Sequence, residues 1–205
     1  MRPEVRALHL ARARDGPENV GWVAAPCTSY CDWNLENGGS RTFACPEGGS
    51  ERPLTEKEQQ GNVLSTFAAE YFATMLDSGG YPLVESSGCS GRYPKQWDLP
   101  CWKAILSRTD VKFVEFRMCS FGLGPPNEPG AFYQHLTRVV FPRNAAVRAA
   151  LSRRCPGVSP THRHIPLKGS RPGASVTRCT EAGVYCPDFV QTVCSILQAS
   201  VFVGG

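Results

Sequence analysis

Two thiol-centred patterns in this sequence could do chemistry. The first is Cys27, which follows Pro26 and precedes Thr28, Ser29 and Tyr30. A thiol is a nucleophile only as thiolate, so it needs N–H donors or a cation beside it. Arg41 and Arg92 are the candidate cations, and the structural alternative is a half-buried cysteine at a strand end. Its natural partner is Glu85, directly after the apolar run Tyr81-Pro-Leu-Val84. A carboxyl there is costly unless it is hydrogen-bonded or wet. Such a setting raises its proton affinity until it can donate near neutrality; the alternative is a cap on the next loop or a pair with Arg92.

The second pattern is Cys155-x6-His162-x-His164. Adding Cys119, from the end of a predicted strand, gives two thiols and two imidazoles, a tetrahedral zinc set. Four protein ligands leave no open position, so such a zinc is structural. Cys179 and Cys186 are spare candidates, and the alternative is a solvated basic loop with an incidental histidine pair. A thiol hydrolase pairing Cys27 with His135 or His162 is a further reading, carried by residue types alone.

The elements that must position these groups are legible as hydrophobic periodicity. Val20–Ala25 is a short apolar run ended by Pro26, a buried strand. Residues 34–53 are loop by their Gly, Asn, Ser and Pro content. Thr55-Glu-Lys-Glu58 is a capping box, and the residues from Val63 to Leu76 keep one apolar helical face until Gly79-Gly80 stops it. Tyr81–Val84 reads as a strand and Asp98 as the cap of a helix to about Ser107. Val111–Phe116 and Leu136–Phe141 read as strands, Asn144 as a helix start, and Pro187 as the first turn of a last helix. The alternation predicts an α/β fold, a mostly parallel sheet with flanking helices, carrying a Cys/His-containing C-terminal extension. Ligands of such sheets bind beyond the carboxyl ends of the strands. That rule selects Pro26-Cys27, Glu85, and Arg117 to Cys119.

Composition sets the outer bounds. With 41% apolar and 20% charged residues, the 205-residue chain is globular, and one domain can bury its own core. Residues 1–116 carry a net charge of −3 and residues 117–205 a net of +7, nine of the latter's ten bases being arginine. Arginine suits phosphate through its two-pronged fork, so DNA contact through this part is expected; a merely soluble basic surface is the alternative. The segment Met1 to Gly16 mixes arginines with Ala and Leu and lacks the apolar stretch of a secretory signal. An intracellular protein, nuclear or cytoplasmic and not membrane-bound, is therefore expected, and its ten cysteines are read as thiols, metal ligands or core residues.

Three segments resemble the cytosine-C5 DNA methyltransferases, with a partial match of the kind seen in protist proteins. Ala25-Pro26-Cys27 after an apolar strand resembles that family's Pro-Cys motif. Pro82-Leu-Val-Glu85 resembles the strand leading into its Glu-Asn-Val motif, with Ser86 where the family has Asn. Gln134-His-Leu-Thr-Arg138 before Val139-Val-Phe141 resembles its Gln-x-Arg-x-Arg segment, with Leu136 for the first Arg. The match spans roughly residues 20–141.

The resemblance implies a partial Rossmann-like methyltransferase fold in which Cys27 adds to C6 of a flipped-out cytosine. It makes Glu85 the acid partner at N3, Arg138 a supporting contact, and Pro26, Thr28, Ser86, Arg117 and Gln134 substrate contacts. The family's S-adenosylmethionine segment, on an earlier strand and Gly-containing turn, has no counterpart in the first 19 residues. The expectation is thus a truncated or degenerate methyltransferase-like domain that uses S-adenosylmethionine only if another segment or a partner chain completes the fold. The alternative is a non-catalytic, zinc-stabilised module on the same fold that binds nucleic acid or protein. Residues 1–18 are expected as an N-terminal segment, 19–142 as the methyltransferase-like core, and 143–205 as a basic region packed on it.

Overall fold

The computed structural model describes residues 1–170, 173 and 175–202, the last three by backbone alone. The apolar runs become strands β1 (Val20–Ala24), β2 (Tyr81–Ser87), β3 (Val111–Arg117), β4 (Ala131–Tyr133), β5 (Leu136–Pro142) and β6 (Arg163–Ile165). The helices are α1 (Pro3–Ala13), α2 (Trp33–Glu36), α3 (Glu56–Asp77), α4 (Pro100–Leu106), α5 (Ala145–Leu151), α6 (Arg178–Glu181) and α7 (Pro187–Phe202).

The main sheet has the order β1-β2-β5-β3. β1 and β2 are parallel, whereas β5 is antiparallel to both β2 and β3. The sheet is therefore mixed, and the mostly parallel sheet expected from the alternation is corrected. The cause is the connection into β5. The stretch after β3 holds a 3-10 turn and the short β4 but no crossover helix, so the chain returns antiparallel. The three strands that alternate with helices still run in one direction, so the carboxyl ends of β1, β2 and β3 share one edge. A second, two-stranded sheet pairs β4 with β6 in parallel.

Helices cover both faces of the main sheet. On one side Val84, Val111 and Val140 pack with Ala68, Phe72, Trp97 and Trp102 under α3 and α4. On the other, Leu83, Phe116, Val139 and Phe141 pack with Val147, Leu151, Phe189 and Val193 from α5 and α7. Strand alternation sends Glu85 and Ser87 to the same side as Leu83, facing α7. The Thr55–Glu58 capping box forms at the start of α3. Asp98 differs from expectation: its carboxylate accepts from the Lys95 backbone N–H and caps a 3-10 turn over Gln96–Asp98. α4 begins only at Pro100, because Pro is suited to a helix's first turn. α1 packs partly against the domain, with Leu10 and Ala13 buried.

Candidate functional site

A cleft of about 840 Å³ opens where the carboxyl ends of β1, β2 and β3 meet the amino end of β5. Pro26, Cys27 and Thr28 enter it from the turn after β1, Glu85 and Ser86 from β2, Arg117 from β3, and Gln134 from the link into β5. The register pairs Ala24 with Glu85 on adjacent parallel strands. Cys27 is three residues beyond Ala24, which brings thiol and carboxyl to the same mouth.

Glu85 is 8% exposed, and its Oε2 accepts a hydrogen bond from the Tyr185 hydroxyl. Burial pushes its carboxyl up to about 7, with the Tyr185 bond pulling the other way. Burial, then the neighbouring Glu85 carboxylate, pushes the Cys27 thiol up to about 11. Neither expected cation serves this thiol. Arg41 is committed to the loop: it donates to the Ser29 and Pro46 carbonyls, Ser29 Oγ and Asn62 Oδ1, and lies over the Tyr30 ring. The cation that does bear on Cys27 is Lys95, which is buried and paired with Asp32.

A buried acid with a raised pKa stabilises the fold only while protonated. The contribution is complete below its unfolded pKa and is lost as pH rises through about 7. Glu85→Gln is therefore expected to raise stability at pH 8.5 by about 1–3 kcal/mol and to leave it nearly unchanged at pH 4, as read by denaturant melts at both values. Equal effects at the two pH values would contradict this reading of Glu85.

Arg138 does not line the cleft. It pairs with Glu115 at 3.0 Å, with its guanidinium over the Phe113 ring. The same Glu115 oxygen accepts from the Cys89 backbone N–H at 2.7 Å, so Arg138 holds the loop after β2 in place. Three groups that sequence reasoning missed do enter. Tyr185 comes from the link between α6 and α7, and Lys95 from the loop after β2. Thr137 lies opposite Ser87 on the face that carries Glu85. The side-chain hydroxyls of Ser86, Ser87 and Thr137 are buried with no hydrogen-bond partner, and all three residues line the cleft. Buried polar atoms of this kind suit a ligand or ordered water.

The four Cys/His residues also converge. Cys119 sits in the 3-10 turn after β3, Cys155 in the loop after α5, and His162 and His164 at the start of β6. Two-residue spacing on a strand puts both imidazoles on one face. Ligand atoms of all four lie within 4.8 Å of one another, close enough to hold a metal ion. The two His Nε2 atoms are 3.0 Å apart, and Cys155 Sγ is 3.2 Å from His164 Nε2. Tetrahedral zinc bonds of about 2.0–2.3 Å give edges of roughly 3.3–3.8 Å, so the cluster closes on an ion with small shifts. The outer contacts fit too. Gly157 N–H donates to Cys155 Sγ, His162 stacks on Phe132 at 4.2 Å, and Gln134 meets His164 Nδ1 at 2.7 Å. Burial, then the adjacent Cys155, pushes the Cys119 thiol up to about 12.

The hydrolase arrangement finds no support in geometry. His162 belongs to the Cys/His cluster, and His135 Nδ1 faces the Ala182 carbonyl at 3.4 Å. Among the described residues no hydrogen bond joins Cys27 to a histidine. The spare thiols lie apart from the cluster, with Cys186 donating to the Phe121 carbonyl and Cys179 to the Leu167 carbonyl. Among the described residues no helix is long and apolar enough to cross a membrane. No protein-family model, curated protein or solved structure matches the chain.

Proposed function

We propose that the cleft is a pyrimidine-base site of a cytosine-C5 methyltransferase-like domain, with zinc at Cys119, Cys155, His162 and His164 fixing one wall. The observation that carries this reading is a thiol and a buried, near-neutral carboxyl in one cleft at the ends of adjacent parallel strands. The helix-flanked sheet supports the finer, partial Rossmann-like reading of the fold, since β1, β2 and β3 share a direction. Zinc would polarise no substrate here, because its four protein ligands complete a tetrahedron.

S-adenosylmethionine would supply the methyl group, and no residue of the cleft is assigned to hold it. β1 is an edge strand of the main sheet, and a further segment or partner chain completing the fold has that edge to pair with. Methyl transfer is accordingly assigned to no residue of the cleft. What the cleft residues do is addition and reversal. The Cys27 thiolate forms a bond to C6 of an unstacked cytosine as N3 takes the proton of Glu85. C5 then takes a proton from solvent, loses the original one, and elimination returns the thiolate and the proton of Glu85. In D2O the balance is exchange of the C5 hydrogen for deuterium, with no methyl donor needed.

The test is NMR detection of that exchange in a short cytosine-containing single strand mixed with zinc-loaded protein. Cys27→Ser is expected to remove it, and Glu85→Gln to slow it by about 10²–10⁴-fold. With Cys27 held well above Glu85, the thiolate–acid form is a small minority of the molecules at any pH. Its population climbs up to pH 7, stays level, and drops above pH 11. The exchange rate should follow that profile, and wild-type protein without exchange on this plateau would refute the reading.

The strongly protonated Cys27 thiol favours a second reading, a zinc-stabilised binding module that takes nucleic acid or a partner protein without reacting. It predicts salt-sensitive DNA binding through the Arg-rich part and no exchange.

A further inference from the structure

We infer that Tyr185 is a positioning residue that clamps one oxygen of Glu85 and turns the other, with its proton, towards the ligand. The inference rests on the base-site reading for the identity of that ligand, but not for the clamp itself. It identifies the ligand edge as one that carries a hydrogen-bond acceptor.

The geometry is a tertiary contact between positions a hundred residues apart. The Tyr185 hydroxyl donates to Glu85 Oε2, while Oε1 takes no hydrogen bond from the described residues. A phenol that donates to one carboxyl oxygen leaves the acid's own proton for the other oxygen. The ring is fixed independently of that bond. It stands edge-on to Trp22 of β1 at 6.0 Å and packs on Phe189 of α7 at 5.2 Å. The donor therefore sits on a rigid aromatic cluster and not on a mobile loop tip. Glu85 in turn lies in the interior of β2, opposite Val139 of β5. The clamp is held by its ring contacts and the carboxyl by β2, and Glu85 lines the cleft.

The other charged and titratable groups of the cleft stand around this pair. Cys27 and the Asp32–Lys95 pair lie on the β1 side, and Arg117 and His135 at the ends of β3 and β5. The thiols of Cys31, Cys89 and Cys179 complete the set. Burial holds the His135 imidazole below its usual range. Tyr185→Phe keeps the ring and removes none of these groups, so it isolates the single hydrogen bond.

The test is titration of ¹³Cδ-labelled glutamate by NMR, with Glu85 assigned through Glu85→Gln and no nucleic acid present. A clamp that donates to the carboxylate favours ionisation, so its loss must move the Glu85 midpoint up. The expected rise in Tyr185→Phe is about one pH unit. An unchanged or lower midpoint overturns the clamp. If Tyr185→Phe fails to fold, ¹³Cζ-tyrosine spectra of Glu85→Gln serve instead. One tyrosine resonance should shift, and no shift overturns the proposal. Absence of cytosine exchange together with a moved midpoint would remove the functional reading and leave the clamp standing. Exchange with an unmoved midpoint would do the reverse. Where both hold, the lower bend of the exchange profile, where the rate levels off, moves up in Tyr185→Phe with the Glu85 midpoint, a readout that packing alone does not shift.

Discussion

Purified protein is expected to carry one zinc ion per chain, and Cys155→Ser to lose it. The thermal midpoint should fall with it by about 10 °C or more. The size follows from linkage. An ion held a thousandfold above its dissociation constant adds about 4 kcal/mol, and each kcal/mol moves the midpoint of a chain this long by about 2–4 °C. The four ligands come from three separate places, the turn after β3, the loop after α5, and β6. The ion thus cross-links segments that share few other contacts. Acid should release it, because the Cys119 thiol, at about 12 without an ion, must give up its proton on binding. Elemental analysis with melts in the presence and absence of a chelator provides the check. A metal-free protein with an unchanged midpoint would remove zinc from the account.

Arg41→Ala is expected to destabilise the chain by about 3–5 kcal/mol. Arg41 is 3% exposed and satisfies five acceptors: two on Ser29, and one each on Pro46, Glu58 and Asn62. Truncation strands those acceptors in the interior, where each unmade bond costs about 1–3 kcal/mol less any relaxation. Ser29 is two residues beyond Cys27, so the same change should loosen the turn that carries the thiol. Faster alkylation of Cys27, mapped by peptide mass spectrometry, would accompany the lower denaturant midpoint. A loss below 1 kcal/mol would mean that water replaces the guanidinium.

The strands were legible as short apolar runs and the long helix by its period. Val20–Ala25 and Val111–Phe116 are rich in apolar residues, and the face from Val63 to Leu76 repeats every three or four. The mixed sheet was not, because strand direction is set by the connection and not by the strand's own residues. β4 and β6 also escaped, being three residues each, too short for any period. The grouping of Cys119 with Cys155, His162 and His164 was legible from ligand type and spacing. Arg41 was misread as a partner for Cys27, since charge in a sequence says nothing of which acceptors a fold will bury beside it. Tyr185 gave only the weak sign of an aromatic just ahead of a helix start. Its meeting with Glu85 depends on α7 lying across β1, which no local pattern encodes.

The placement of β5 between β2 and β3 has a consequence for biogenesis. The strand made last among the four occupies an inner position, so the earlier ones cannot zip into a continuous sheet while residues 136–142 remain inside the ribosome. Until then a nascent chain exposes the β1–β2 pair and an unpaired β3, and Cys27 has a neighbour in β2 but no opposite wall. The pocket is assembled only once Tyr185 has also emerged, and the thiol spends that interval open to oxidants and to chaperones.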